Sequence, residues 1–146
     1  MVDLAAIAPY APHFTRPLAA VAAELESYAQ LLRQWQQVQN LVSRETLDQI
    51  WTRHFADSLQ ILKLLRPGDR NFLDLGSGGG FPALPLAIAL KGANHHFVLV
   101  EPTSRKVSFL RTVARELGLS VTVEGRRSAD IDATEMPGPD LIQCFT

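Results

Sequence analysis

The run Phe72-Leu73-Asp74-Leu75-Gly76-Ser77-Gly78-Gly79-Gly80-Phe81-Pro82 reads as a short apolar strand ending in an acid, a glycine loop, and a helix opened by proline. Glycines at 76, 78 and 80 let the backbone turn tightly and approach a ligand with no Cβ in the way. The helix that follows begins with free amide groups directed at the same place. Such a loop, at the C-terminal end of a first strand, suits the phosphate or ribose of a nucleotide cofactor. A dinucleotide fingerprint asks for Gly-x-Gly-x-x-Gly, yet counting from Gly76 the sixth position is Phe81. A βα turn with nothing to bind has no need of three spaced glycines. Gly76, Gly78 and Gly80 are therefore candidate cofactor residues.

Downstream of the loop the pattern alternates. Pro82 to Leu90 predicts a helix that is apolar nearly all round, hence buried, with Pro85 tolerated in its first turn. Phe97-Val98-Leu99-Val100-Glu101 is a continuous apolar run, as for a strand covered on both faces. Thr103 to Leu117 predicts a helix with Val107, Leu110, Ala114 and Leu117 inward and Gly118 as its stop. Ser120 to Glu124 is a third strand, and Pro137-Gly138-Pro139 precedes a fourth that starts at Asp140-Leu141-Ile142. Strand–helix alternation means parallel strands joined by right-handed crossovers, an α/β fold.

Upstream, Leu18, Val21, Leu25, Tyr28, Leu32, Trp35 and Val38 are spaced by three and four, which predicts one helix with a narrow stripe. Asn40 ends it. Thr46-x-x-Gln49 has the form of a capping box for a second helix carrying Ile50, Trp51, Phe55, Leu59 and Leu62, which stops before the turn Pro67-Gly68-Asp69. Residues 1–17, with Pro9, Pro12 and Pro17, show no such period. The expected organisation is a flexible leader over 1–17, a helical cap over 18–66, and a sheet domain over 67–146.

At 146 residues the chain is long enough to bury a core. Its 14 basic and 15 acidic residues nearly cancel, so a polyanion partner would have to be held by a local patch. The single cysteine, Cys144, forms no internal disulfide, and no Cys/His spacing suits zinc, so no metal is expected. No apolar run approaches the roughly 18 residues of a membrane span. A basic region followed by an apolar core is missing from the N-terminus. A soluble monomer in a reducing cytoplasm is the expectation.

The polar candidates sit at strand ends. Glu101 lies about 20 residues past the glycine loop, where a carboxylate can accept both ribose hydroxyls of a nucleoside cofactor. An NAD enzyme places an acid similarly, so Glu101 alone does not discriminate. Asp74 lies inside the motif, placed to orient the loop or meet a cofactor amino group, and once buried it needs partners. Arg126 and Arg127 follow strand three, where a loop would pass an adenine, although adjacent arginines are commonly a solvated pair. Arg105, Lys106, Arg111 and Arg115 do not share one helix face, and helix solubility explains them as well as phosphate binding does. His95 and His96 read as surface residues. His54 has Asp57 and Ser58 three and four residues on, within reach of its face.

The pattern hydrophobic-Asp-hydrophobic-Gly-x-Gly-x-Gly over Leu73–Gly80 resembles motif I of the S-adenosylmethionine-dependent methyltransferases. Around it, Asn40-Leu41-Val42-Ser43-Arg44, Arg53-His54-Phe55-Ala56-Asp57-Ser58-Leu59, the extension Phe81-Pro82-Ala83-Leu84-Pro85-Leu86, and Val100-Glu101-Pro102-Thr103-Ser104-Arg105-Lys106-Val107-Ser108-Phe109-Leu110 are similar to consecutive blocks of one bacterial family. It is the ribosomal RNA small subunit methyltransferase G family, also called glucose-inhibited division protein B, and the likeness covers roughly residues 18 to 142. The resemblance implies a Rossmann-like methyltransferase fold with a helical cap, here with about four parallel strands. It implies S-adenosyl-L-methionine as cofactor and N7 of a guanine in small-subunit ribosomal RNA as target. By position, Gly76 and Phe81 flank the cofactor loop, Glu101 takes the ribose, and Arg127 and Ser128 match the pair that meets the adenine. Typical members have Glu at the second place of that pair, so Ser128 departs from them. Gln143-Cys144-Phe145-Thr146 departs too, with Phe145 where the family has arginine, and reads like a truncation or a change of frame.

Methyl transfer from a sulfonium to guanine N7 is an in-line displacement on a lone pair already present. No base has to remove a proton first, and no catalytic residue is expected beyond those that orient. Two other readings are a fragment that binds cofactor or RNA without turnover, and a nicotinamide-dependent oxidoreductase. Phe81 and the lack of a Tyr/Lys or His/acid hydride-transfer pair speak against the last.

Overall fold

The computed structural model describes residues 1–132 and 141–144. Four strands, β1 (Asn71–Leu75), β2 (His96–Val100), β3 (Val121–Glu124) and β4 (Leu141–Cys144), form one parallel sheet in the order β3-β2-β1-β4. The expected α/β, Rossmann-like architecture is what the chain adopts. Strand order grows outward from β1 to β3 and then reverses to place β4 on the other side of β1. The crevice above β1 is thus the topological switch point, where open α/β sheets bind ligands. Register levels the strand ends: Leu75 pairs with Val100 and with Cys144, and Val100 pairs with Glu124. The residues that follow β1 and β2, Gly76 and Glu101, are therefore set side by side. The Pro137-Gly138-Pro139 turn, the strand start at Asp140, and Phe145 and Thr146 lie outside the described residues.

Helices α1 (Leu4–Ile7), α2 (Leu18–Gln36), α3 (Arg44–Leu47) and α4 (Ala56–Leu59) precede the sheet; α5 (Ala83–Ala89) and α6 (Ser104–Glu116) are its crossovers. Every residue of α5 is buried, because it touches β2 on one side and α2 and α4 on the other. That double coverage is the reason for its all-apolar sequence. The face of α2 that packs down carries Val21, Ala22, Leu25, Tyr28, Ala29 and Leu32. Helix α6 ends where Gly118, at φ 63°, takes the left-handed conformation.

Two expectations need correction. Residues 1–17 do not form a flexible leader: α1 is followed by a 3₁₀ turn over Ala8–His13, and Ile7 is wholly buried. Ile7, Tyr10 and Phe14 are themselves spaced by three and four and pack on the core. Thr15 then bonds the Ala89 carbonyl through its amide, and Arg16 grips Glu24 with two hydrogen bonds of 2.8 and 3.1 Å. Lys91 reaches the same carboxylate at 2.8 Å and the Leu117 carbonyl at 2.6 Å. Segment, cap and sheet are tied at one point.

The second cap helix is neither continuous nor capped at Thr46. Ser43 is the N-cap, its hydroxyl accepting the Thr46 amide at 3.3 Å. After α3 the chain makes a π-helical turn over Trp51–Phe55, then α4, then a 3₁₀ turn over Gln60–Leu64. Apolar residues at 51, 55 and 59 recur in steps of four, which drift by about 40° per step on a helix of 3.6 residues per turn. The wider π turn takes up that drift and keeps Trp51, Phe55 and Leu59 on one buried face.

Candidate functional site

The glycine loop leaves β1 as a tight reversal. Gly76, Gly78 and Gly80 have φ of 75°, 55° and 101°, the left-handed region that side chains resist. The Gly76 and Ser77 amides turn back to the Val100 carbonyl at 2.8 and 3.2 Å, and the Gly80 amide bonds the Ser77 carbonyl at 2.8 Å. A Cβ on Gly80 would fall 2.5 Å from Leu84 Cδ1 and 2.8 Å from the Tyr28 hydroxyl, so glycine is needed there for packing. Gly78 differs: a Cβ would meet nothing within 4 Å, and its surface faces open space. That is the place in the loop where a ligand can come against bare backbone.

Glu101 is where the sequence placed it but does more than expected. Its side chain is buried, one oxygen accepting the Gly78 amide at 2.8 Å and the other the Thr103 amide at 2.9 Å. The carboxylate thus joins the glycine loop to the start of α6, with one lone pair left on each oxygen for another donor. Two amides that the sequence offered to a ligand are used inside the protein, Gly78 by Glu101 and Leu84 by the Gly80 carbonyl at 2.8 Å.

Asp74, 2% exposed, lies beneath the loop with both carboxylate oxygens lacking a hydrogen-bond partner. Burial pushes its carboxyl up to about 7, the Glu101 charge adds to that, and the nearby Ser77 hydroxyl is turned to the Asp74 backbone carbonyl at 3.3 Å. A buried acid without partners is costly and is the kind of group that a bound cation or amine would satisfy. Arg127 is exposed just past β3, and Ser128 opens a 3₁₀ turn over Ser128–Asp130. The loops after β1, β2 and β3 therefore follow one another along the same sheet edge, carrying Asp74 with the glycines, then Glu101, then Arg127 and Ser128.

Sequence reasoning missed the cap's grip on the loop. The buried Tyr28 hydroxyl, on α2, donates to the Gly79 carbonyl at 2.6 Å, and its ring lies 5.4 Å from Phe81, 5.8 Å from Phe55 and 6.3 Å from Phe109. Burial, and then the nearby Asp74, hold the Tyr28 phenol well above its usual range, so it remains a donor. On the other flank Gln36 accepts the Leu41 and Val42 amides at 2.9 and 3.2 Å and donates to the Val42 carbonyl at 2.8 Å. The Leu41 carbonyl so fixed would stand 2.9 Å from a Cβ on Gly79. A tyrosine in an apolar stripe was the available signal, since a buried phenol needs a partner.

His54 stacks on Phe81 with ring centroids 4.5 Å apart, and its Nε2 lies 2.8 Å from the Thr46 hydroxyl. Burial lowers its pKa, with Asp57 pulling the other way, so the ring is neutral at neutral pH. The cap blocks that the sequence singled out at 40–44 and 53–59 thus both reach the glycine loop.

Comparison with known proteins gives this arrangement its context. The family described as rRNA small subunit methyltransferase G matches residues 21–138. The chain belongs to that family. A ribosomal RNA small subunit methyltransferase G of Rhodopseudomonas palustris (strain TIE-1) is 45% identical over 127 residues, 87% of this chain and 55% of the relative. The protein of the same name from Rhodospirillum centenum is 49% identical over 109 residues, 75% of this chain and 49% of the relative. That of Jannaschia sp. (strain CCS1) is 44% identical over 111 residues, 75% and 53% of the two chains. The chain spans about half the length of the curated relatives it matches. The methyltransferase G match takes in α2, with Tyr28 and Gln36, as well as the glycine loop and Glu101. Among the described residues no helix is long and apolar enough to cross a membrane.

Proposed function

We propose that this chain forms the cofactor-binding part of an S-adenosyl-L-methionine-dependent methyltransferase acting on N7 of a guanine in small-subunit ribosomal RNA, as a cytoplasmic monomer. The observation that carries this reading is the glycine loop at the switch point, with Gly78 open to solvent and an unpartnered Asp74 carboxyl beneath it. The residues fit the cofactor. Asp74 suits its amino group, the free lone pairs of Glu101 suit the ribose hydroxyls, Gly78 suits close backbone approach, and Arg127 suits the adenine end. When bound, the cofactor supplies an electrophilic methyl group. The protein's own task is orientation, since the nucleophile is a ring nitrogen lone pair that needs no deprotonation. No side chain of the site then has to act as a base.

Isothermal titration with S-adenosylhomocysteine and, separately, with NADH tests the cofactor assignment. Binding of the first alone is expected, and its loss in Gly78→Val. Binding of NADH alone would overturn the reading. Transfer of a labelled methyl group to undermethylated small ribosomal subunits tests the reaction; binding without incorporation would reduce the chain to a cofactor-binding module.

A further inference from the structure

Beside the glycine loop a cleft of about 390 Å³ opens between the segment 53–61 of the cap and Phe81-Pro82. Its size falls within the range of small-ligand pockets, about 300–1,000 Å³. The Phe81 ring at its wall immediately follows Gly80, so the cleft adjoins the proposed cofactor loop. Part of its polar lining is unspent. Ser58 is only 3% exposed and its hydroxyl bonds nothing among the described residues. Asp57 accepts Gln60 Nε2 at 2.9 Å on one oxygen and leaves the other free. Arg53, exposed at the rim, makes no ion pair among the described residues.

We propose that this cleft receives a guanine base of the RNA substrate, its N1–H and N2 amino group held by Asp57, O6 by Ser58, and the backbone phosphate by Arg53. The inference rests on the RNA-methyltransferase reading and adds the subsite where the base is recognised. Guanine alone among the four bases presents two adjacent donors beside an acceptor on its pairing edge. A carboxylate next to a hydroxyl donor complements that sequence. Adenine would set a ring lone pair against the carboxylate, and uracil offers one donor between two acceptors. The neutral His54 ring stacked on Phe81 provides an aromatic plane on which an unstacked base can continue. Held by its pairing edge, the guanine keeps its N7 edge free of these partners.

The test is fluorescence anisotropy with a labelled single-stranded hexaribonucleotide containing one guanosine among uridines, and with its inosine counterpart, which lacks the N2 amino group. Wild-type protein is expected to prefer guanosine about tenfold, the scale of one hydrogen bond to a charged group. Asp57→Asn, which keeps the side chain's shape, should bring the ratio to within about twofold. Arg53→Gln should weaken both oligonucleotides alike and lower the salt slope by about one. Equal affinity of wild-type protein for the two, or a ratio unchanged in Asp57→Asn, overturns the assignment. Competition between S-adenosylhomocysteine and the oligonucleotide would also overturn it, by making the cleft part of the cofactor site. The same titration separates the two readings: S-adenosylhomocysteine bound with no guanosine preference removes only the cleft, whereas no cofactor binding removes the proposed function.

Discussion

Tyr28→Phe isolates the cap's grip on the cofactor loop. Phenylalanine keeps the ring and its packing on Phe55, Phe81 and Phe109, and removes only the hydroxyl that donates to the Gly79 carbonyl at 2.6 Å. Gly79 is buried, and its carbonyl has no other partner among the described residues. The cost is therefore that of an unsatisfied buried acceptor, about 1–3 kcal/mol. For a chain of this length that lowers the melting temperature by roughly 3–10 °C. Because the lost bond fixes the peptide next to Gly78, affinity for S-adenosylhomocysteine should fall about three- to tenfold as well. Differential scanning calorimetry and isothermal titration on the same preparation measure both. A Tyr28→Phe protein that melts and binds like wild type would refute the reasoning, since nothing but this hydroxyl was changed.

Glu101→Gln should cost about 2–3 kcal/mol in urea unfolding and weaken S-adenosylhomocysteine at least tenfold, because an amide nitrogen would face one of the two backbone N–H groups that the carboxylate now accepts. Asp74, raised to about 7 from an ordinary 3.8, keeps its proton in the folded protein over a range where the unfolded chain has lost it. Its contribution is then fully present below about pH 4, declines by on the order of 3 kcal/mol as pH rises to 7, and levels off above; unfolding free energies from pH 4 to 8 should show a flatter profile in Asp74→Asn. Gly80→Ala should destabilise by about 2–4 kcal/mol through its positive φ and the approach to Leu84 and Tyr28, while Gly68→Ala, with open space around it, should be neutral within about 0.5 kcal/mol, both read by thermal melts.

What the sequence made legible was what short spacing encodes. The glycine loop, the apolar run before Glu101, the buried Pro82–Leu90 segment and the Gly118 stop are each determined within a dozen residues. The structure follows them closely. The N-terminal segment was misread because three prolines hid the spacing of Ile7, Tyr10 and Phe14, which 3₁₀ and α turns both satisfy. Glu101 was legible as the acid at the end of the second strand, but its hold on the Gly78 amide, 23 residues away, depends on the register of β1 and β2. Tyr28 read as one residue of the apolar stripe, and only the docked cap shows which loop it and Gln36 hold.

The bond from Tyr28 to Gly79 spans 51 positions of the chain. During synthesis at about 5–20 residues per second, the long cap helix is made about 3–10 s before the loop it clasps. Through that interval its apolar stripe has no sheet to lie on. The cap helix is thus synthesised well before the surface it docks on exists, and a nascent chain paused between the two would carry that stripe uncovered.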